Sequence, residues 1–191
     1  MIRRPRIARV AAAADIPLLQ ALIARSVRAL STGFYTSAQI EAALVAVFGV
    51  DTQLITDGTY YVVDAPTGMA AAGGWSFRRA LYGGDQMKSA ADPRVDPATE
   101  PARIRAFFVQ PEWARQGLAR ALYAECSRAA LEAGFRTFEL MATLPGEPFY
   151  AALGFSAAER TSVALGDGVE LPLVRMTRRI AESVENRGIR S

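Results

Sequence analysis

The sequence predicts a mixed α/β domain on three observations: two amphipathic helices ahead of a β-rich hairpin, a strand-helix-strand run from Ala102 to Ala142, and two closing strands joined by Gly166-Asp167-Gly168. The chain has 191 residues, which at about 150 residues per domain predicts one domain over 1–180 followed by a polar tail over 181–191. Hydrophobic residues are 51% of the chain and charged ones 21%, a globular mix that excludes a disordered, collagen-like or disulfide-scaffold protein.

Ile7 to Val10 is short and β-compatible, and Asp15 offers an N-cap to a helix whose Leu18, Leu19, Leu22, Ile23, Val27 and Leu30 recur at three- and four-residue spacing. Thr36 and Gln39 have capping-box spacing and open a second helix carrying Ile40, Leu44, Val47 and Phe48 toward Gly49. Thr59 to Asp64 and Met69 to Phe77 flank the turn chemistry of Ala65-Pro66-Thr67-Gly68, which predicts a hairpin.

Arg78 to Glu100 contains Gly83-Gly84, Asp92-Pro93 and Asp96-Pro97 and is too long for a routine connection; it is either an ordered cover over a site or disordered. A strand over Ala102 to Val109 follows, then a helix from Gly117 to Ala133 closed by Gly134, then a strand over Thr137 to Ala142. The helix places Leu118, Ala121, Leu122, Cys126, Ala129 and Ala133 on one stripe, which assigns Cys126 to packing. A short helix near Pro148 to Leu153 precedes strands at Phe155 to Val163 and Val169 to Met176, and the segment from Arg178 to Ser191 is expected to fray.

Composition narrows the chemistry. There is no histidine, so imidazole-dependent nucleophiles, histidine-zinc sites and phosphorelay are excluded. Cys126, the only cysteine, has no disulfide partner and no activating neighbour type, and a reducing, cytoplasmic setting is expected. Basic residues exceed acidic ones by 22 to 19, almost all of them arginines scattered from Arg3 to Arg190, with Lys88 the single lysine. That scatter predicts solvated surface and no nucleic-acid partner. No apolar run approaches the ~20 residues of a membrane span, so no membrane association is expected.

The segment Val109-Gln110-Pro111-Glu112-Trp113-Ala114-Arg115-Gln116-Gly117-Leu118-Ala119-Arg120 joins a strand end to a helix start through a glycine. The first turn of a helix offers unpaired N–H groups and the positive end of the dipole, and the small Gly117 and Ala119 leave room for an anion, with Arg115 and Arg120 able to add charge. Further on stands Phe149-Tyr150-Ala151-Ala152-Leu153-Gly154-Phe155. These two segments, in this order, resemble the GNAT superfamily of N-acetyltransferases, whose V-x-P, Gln/Arg-x-x-Gly-x-Gly/Ala and F-Y-x-x-L-G-F patterns are met by Val109, Pro111, Gly117, Ala119 and the run from Phe149. Ala114 departs from the family's Gln or Arg.

The resemblance implies a mixed, mostly antiparallel sheet of six to seven strands flanked by helices and splayed between the Ala102 and Thr137 strands. It implies acetyl-CoA as acyl donor, no metal, and direct acetyl transfer to a primary amine of a small molecule or peptide, with a homodimer compatible. Cofactor contacts are expected from Phe107, Phe108, Val109, Arg115, Gln116, Gly117, Leu118, Ala119 and Arg120. Acyl transfer to an amine needs a neutral amine, a stabilised oxyanion and a proton for the departing thiolate. An alkyl amine of pKa ~10.4 sits about 3.4 pH units from neutrality at pH 7, or ~4.6 kcal/mol. Tyr150 occupies the family's acid position and stays protonated at neutral pH. Glu139 and Glu147, with Glu100 behind them, are candidate bases beside a water chain. Arg103 and Arg105 share one side of their strand and are expected to face the acceptor, favouring a carboxylate-bearing substrate, unless they pair with Glu139 or Glu100. A non-catalytic acyl-CoA sensor is the alternative function.

Overall fold

The structure, a computed structural model, describes residues 8–66, 68–90 and 92–180. Strands β1 (Arg9–Val10), β2 (Tyr60–Ala65), β3 (Gly68–Ser76), β4 (Ala102–Val109), β5 (Thr137–Thr143), β6 (Ser156–Gly166) and β7 (Val169–Arg179) form one sheet in the order β1-β2-β3-β4-β5-β7-β6. Every junction is antiparallel except β4 with β5. The helices are α1 (Ile16–Leu30), α2 (Ser37–Ala46), α3 (Thr52–Thr56), α4 (Leu118–Glu132) and α5 (Glu147–Ala151). No helix among the described residues is long and apolar enough to cross a membrane.

Helices cover both faces of the sheet, which is why β2 over Tyr60 to Val63 and most of β3 read as continuous buried runs without polar alternation. Along β2, Tyr60 and Val62 pack with Leu19, Leu22 and Ile23 of α1 and Ile40 of α2. Tyr61 and Val63 turn to the opposite face and join Leu122, Tyr123 and Cys126 of α4. The period-two side-chain alternation therefore serves two cores. Cys126 is fully buried there, and burial pushes its thiol up, as expected of a packing residue.

Helix α1 has the predicted limits, yet Asp15 does not cap it with its side chain. Its carboxylate accepts from the Ala12 N–H at 2.8 Å and from Arg9 at 2.8 and 2.9 Å, tying β1 to the helix. The Thr36–Gln39 capping box forms as read, with both reciprocal bonds present. Helix α3 went unforeseen: it is five residues long, opened by Asp51 accepting from the Gln53 N–H at 3.1 Å, too short for a periodic apolar signal. Arg178 and Arg179, expected to fray, extend β7 instead because Thr137 and Phe138 of β5 pair with them; Ile7, Thr67 and 181–191 lie outside the described residues.

Where β2 and β3 cross the centre of the sheet, backbone approach sets the sequence. A Cβ on Gly74 would stand 2.8 Å from the Thr59 carbonyl oxygen, and one on Gly73 would meet the Phe107 ring at 3.0 Å. Backbone cannot yield as a side-chain tip can. We expect Gly74→Ala to destabilise the protein by about 1–3 kcal/mol, the usual cost of overpacking, measured as a lowered urea midpoint at constant m; an unchanged midpoint would show slack between the strands.

Candidate functional site

The parallel junction of β4 and β5 holds for two residue pairs, Ala102↔Phe138 and Arg103↔Glu139, and then the strands part. At the point of parting β4 is irregular: Ala106 takes φ 54°, a left-handed conformation costly for a residue with a Cβ, and the register against β3 shifts between Ala72 and Gly74. The Tyr60 hydroxyl donates to the Ala106 carbonyl at 3.2 Å, holding the bulge from β2, one strand beyond β3. Beyond it the Gln110 N–H bonds back to Ala70, so the preceding N–H, that of Val109, turns toward the opening, where the Ser26 hydroxyl of α1 accepts it at 3.2 Å.

A cavity of about 460 Å³ fills the opening. One wall is the turn from β4 into α4. Arg115 and Gly117 both have positive φ, 61° and 83°, and their alternation with ordinary backbone coils the segment into a concave loop ending at the first turn of α4. No side chain caps that helix, and the space a Gly117 Cβ would occupy is open. Phe107, Phe108, Val109, Arg115, Gly117, Leu118, Ala119 and Arg120 all line the cavity. Gln116 does not: its amide turns away and donates to the Glu112 carbonyl at 2.9 Å. Trp113 and Ala114 line the wall in its place.

Tyr150 lies across the opening on α5. Its ring stands edge-on to Phe107 at 6.3 Å between centroids, to Phe155 at 5.8 Å and to Phe149 at 5.1 Å, an aromatic cluster that joins β4 to α5. Burial pushes its phenol above the ordinary tyrosine value, so the hydroxyl stays protonated well into alkaline solution. Tyr35 sets the height of this wall and carried no sequence signal. Its hydroxyl accepts from the Leu144 N–H at 2.8 Å and donates to the Pro172 carbonyl at 2.6 Å, fixing the segment between β5 and α5 against β7.

The glutamates expected as bases lie elsewhere. Glu139 is clamped between Arg103 and Arg175, the latter at 2.6 Å, and Glu147 is paired with Arg160 at 2.6 Å; neither lines the cavity. Glu100 accepts from the Asp96 N–H. Arg103 takes the alternative of pairing with Glu139, and Arg105 is likewise held by protein acceptors. Arg103 pairs with Glu139 and reaches the Arg79 carbonyl at 3.3 Å. Arg105 reaches the cavity wall, but it donates to Asp51 at 2.8 Å and to the carbonyls of Ala80 and Gly83, each at 2.7 Å. Burial pushes its guanidinium down while Asp51 pulls it back up. Together with Lys88–Asp51 and Arg78–Asp57, these bonds hold the segment after β3 as an ordered cover, one of the two outcomes its composition left open.

Residues 81–179 match the family described as acetyltransferase (GNAT) domain. No curated protein matches the chain. Among solved structures, a GCN5-related N-acetyltransferase from Rhodopseudomonas palustris is 16% identical with TM-score 0.68, over 94% of this chain and 99% of that one. The PaiA N-acetyltransferase from Thermoplasma acidophilum, in complex with coenzyme A, is 13% identical with TM-score 0.62, over 92% and 99%. YncA from Salmonella typhimurium, with its cofactor acetyl-CoA, is 14% identical with TM-score 0.57, over 97% and 100%. At these identities the likeness is one of fold.

The Arg105–Asp51 pair is the test of how the cover is held, since both side chains are at most 3% exposed. Asp51→Asn leaves a buried guanidinium without its carboxylate and is expected to cost about 3–5 kcal/mol, read by urea unfolding, with earlier proteolytic cleavage within 78–100. Wild-type protease resistance in the variant would show that the cover is held by other contacts.

Proposed function

The chain belongs to the GNAT acetyltransferase family, and from that premise we propose that it transfers the acetyl group of acetyl-CoA to a primary amine, both bound at once. The observation that carries this reading is the convergence, on one cavity, of the inward N–H of Val109, the uncapped first turn of α4 behind Gly117, and Tyr150. The acyl donor supplies an activated thioester; the protein's residues supply position, charge and a proton. The α4 first turn and the loop from Arg115 hold the donor's pyrophosphate through backbone N–H groups, with Arg115 and Arg120, both exposed, adding charge at the mouth. The parted edge of β4 aligns the pantetheine arm, and the Val109 N–H exchanges Ser26 for the thioester carbonyl. Tyr150 keeps its proton and gives it to the departing thiolate sulfur.

The amine loses its proton without a carboxylate. Among the described residues no Asp or Glu lines the cavity, whereas Arg105 stands in its wall. An apolar surrounding and a nearby cation both disfavour the ammonium form, so the amine enters near neutrality and its proton passes to water.

Calorimetric titration with acetyl-CoA, with ATP as comparator, tests the donor site. Tyr150→Phe tests the acid: turnover is expected to fall about 10²-fold or more, within the usual range for general acid catalysis, while acetyl-CoA affinity is kept. Equal turnover would remove Tyr150 from the mechanism, and retained affinity with no wild-type turnover on any amine would favour an acyl-CoA sensor. The pH profile follows from the same groups. Because burial raises the phenol, its acid form persists to higher pH; kcat/KM should therefore climb as the amine deprotonates and show no descending limb by pH 10. A fall below pH 9 would assign the proton to a more acidic group.

A further inference from the structure

The cavity lining that comes from elements other than β4 and the α4 turn has its own chemistry. It is built by Val27, Leu30, Phe48, Leu81, Met141 and Leu173, drawn from α1, the segment after α2, the cover and the far strands. Its polar members are neutral hydroxyls, Ser26, Ser31, Tyr82 and Thr143, and β4 adds Arg105 to the same cavity. That guanidinium is committed to Asp51 and to two backbone carbonyls. Three of the six apolar residues, Val27, Leu30 and Phe48, lie ahead of the matched family region, which begins at residue 81.

We infer that the acceptor is a small monoamine with an apolar body, an arylalkylamine or branched alkylamine without a carboxylate. The inference rests on the acetyltransferase reading and narrows its substrate. A second ammonium, as in a polyamine, would be desolvated here with no carboxylate to meet it and a fixed cation nearby. A substrate carboxylate would find Arg105 already saturated by acceptors. An apolar body instead covers Val27, Phe48 and Leu173 and gains their burial. The whole cavity, donor side included, is about 460 Å³, so the share left to the acceptor suits a small molecule. Leu30, the last residue of α1, lines it and is 38% exposed, so the cavity reaches solvent there. A separate molecule can enter there, whereas an extension of the donor's acyl chain calls for a closed end. In the step itself the neutral amine nitrogen bonds the acetyl carbon as the C–S bond breaks; the nitrogen then sheds one N–H proton to water, the thiolate takes a proton from Tyr150, Tyr150 regains one from water, and the products are the N-acetyl amide and CoA.

The test measures CoA release by the full chain with 2-phenylethylamine, isoamylamine, spermidine and glutamate, after acetyl-CoA binding has been confirmed on the same preparation. The two apolar amines are expected to exceed spermidine and glutamate in kcat/KM by about tenfold or more, the scale on which an apolar pocket discriminates. Leu30→Glu, which places a carboxylate at the opening, should lower kcat/KM for 2-phenylethylamine and raise it for spermidine with acetyl-CoA affinity unchanged. Faster turnover of spermidine or glutamate, no turnover of either apolar amine, or faster transfer from hexanoyl-CoA than from acetyl-CoA would each overturn the inference while leaving the donor site standing. Absence of acetyl-CoA binding would bring down the acetyltransferase reading and the inference with it.

Discussion

The cavity depends on β4 and β5 pairing for two residues and then separating. Elsewhere such a separation would be fraying, because a parallel pair that ends early leaves backbone groups without partners. Here both outer ladders continue past the split, β3 on β4 to Val109 and β7 along the whole of β5. The gap is thus a wedge held open by its flanks. Ala106 bends β4 away at the cost of a left-handed residue, and the Tyr60 hydroxyl answers its carbonyl. The Phe107 and Tyr150 rings then meet across the wedge, so the residue proposed as the acid is placed by the same distortion that frees the strand edge.

The sequence made legible what depends on near neighbours. The limits of α1, the span of β4 and the capping box at Thr36 follow from spacings of three and four residues or from one short pattern, and the structure reproduces them. The same holds for the glycine ahead of α4. What eluded it depends on partners far along the chain. Period two placed Arg103 and Arg105 on one side of β4 and offered Glu139 as a partner, which Arg103 takes through the β4–β5 register, yet nothing local says that Asp51, some fifty residues earlier, would reach Arg105. Glu139 read as a candidate base because it stood on a strand near the motif; its two arginine partners are visible only once β5 pairs with both β4 and β7. Gln116 missed the cavity for a smaller reason, a side chain that found a carbonyl four residues back.

These arginines have two fates, and the difference shapes the cavity. Arg115 and Arg120 stand exposed at its mouth, where a charged ligand group can be met without desolvating a buried cation. Arg103 and Arg105 are buried, and a buried cation is tolerable only when carboxylates and carbonyls surround it. Their partners are Asp51, Glu139 and the carbonyls of Arg79, Ala80 and Gly83. By holding those carbonyls, Arg105 sets the position of Leu81 and Tyr82, which lie between two of its bonds and face the cavity. The apolar wall proposed to receive the amine is thus placed by a polar clasp behind it. One charge serves twice in the proposed reaction: its hydrogen bonds fix the cover, and its place in the cavity wall adds to the desolvation that disfavours an ammonium there.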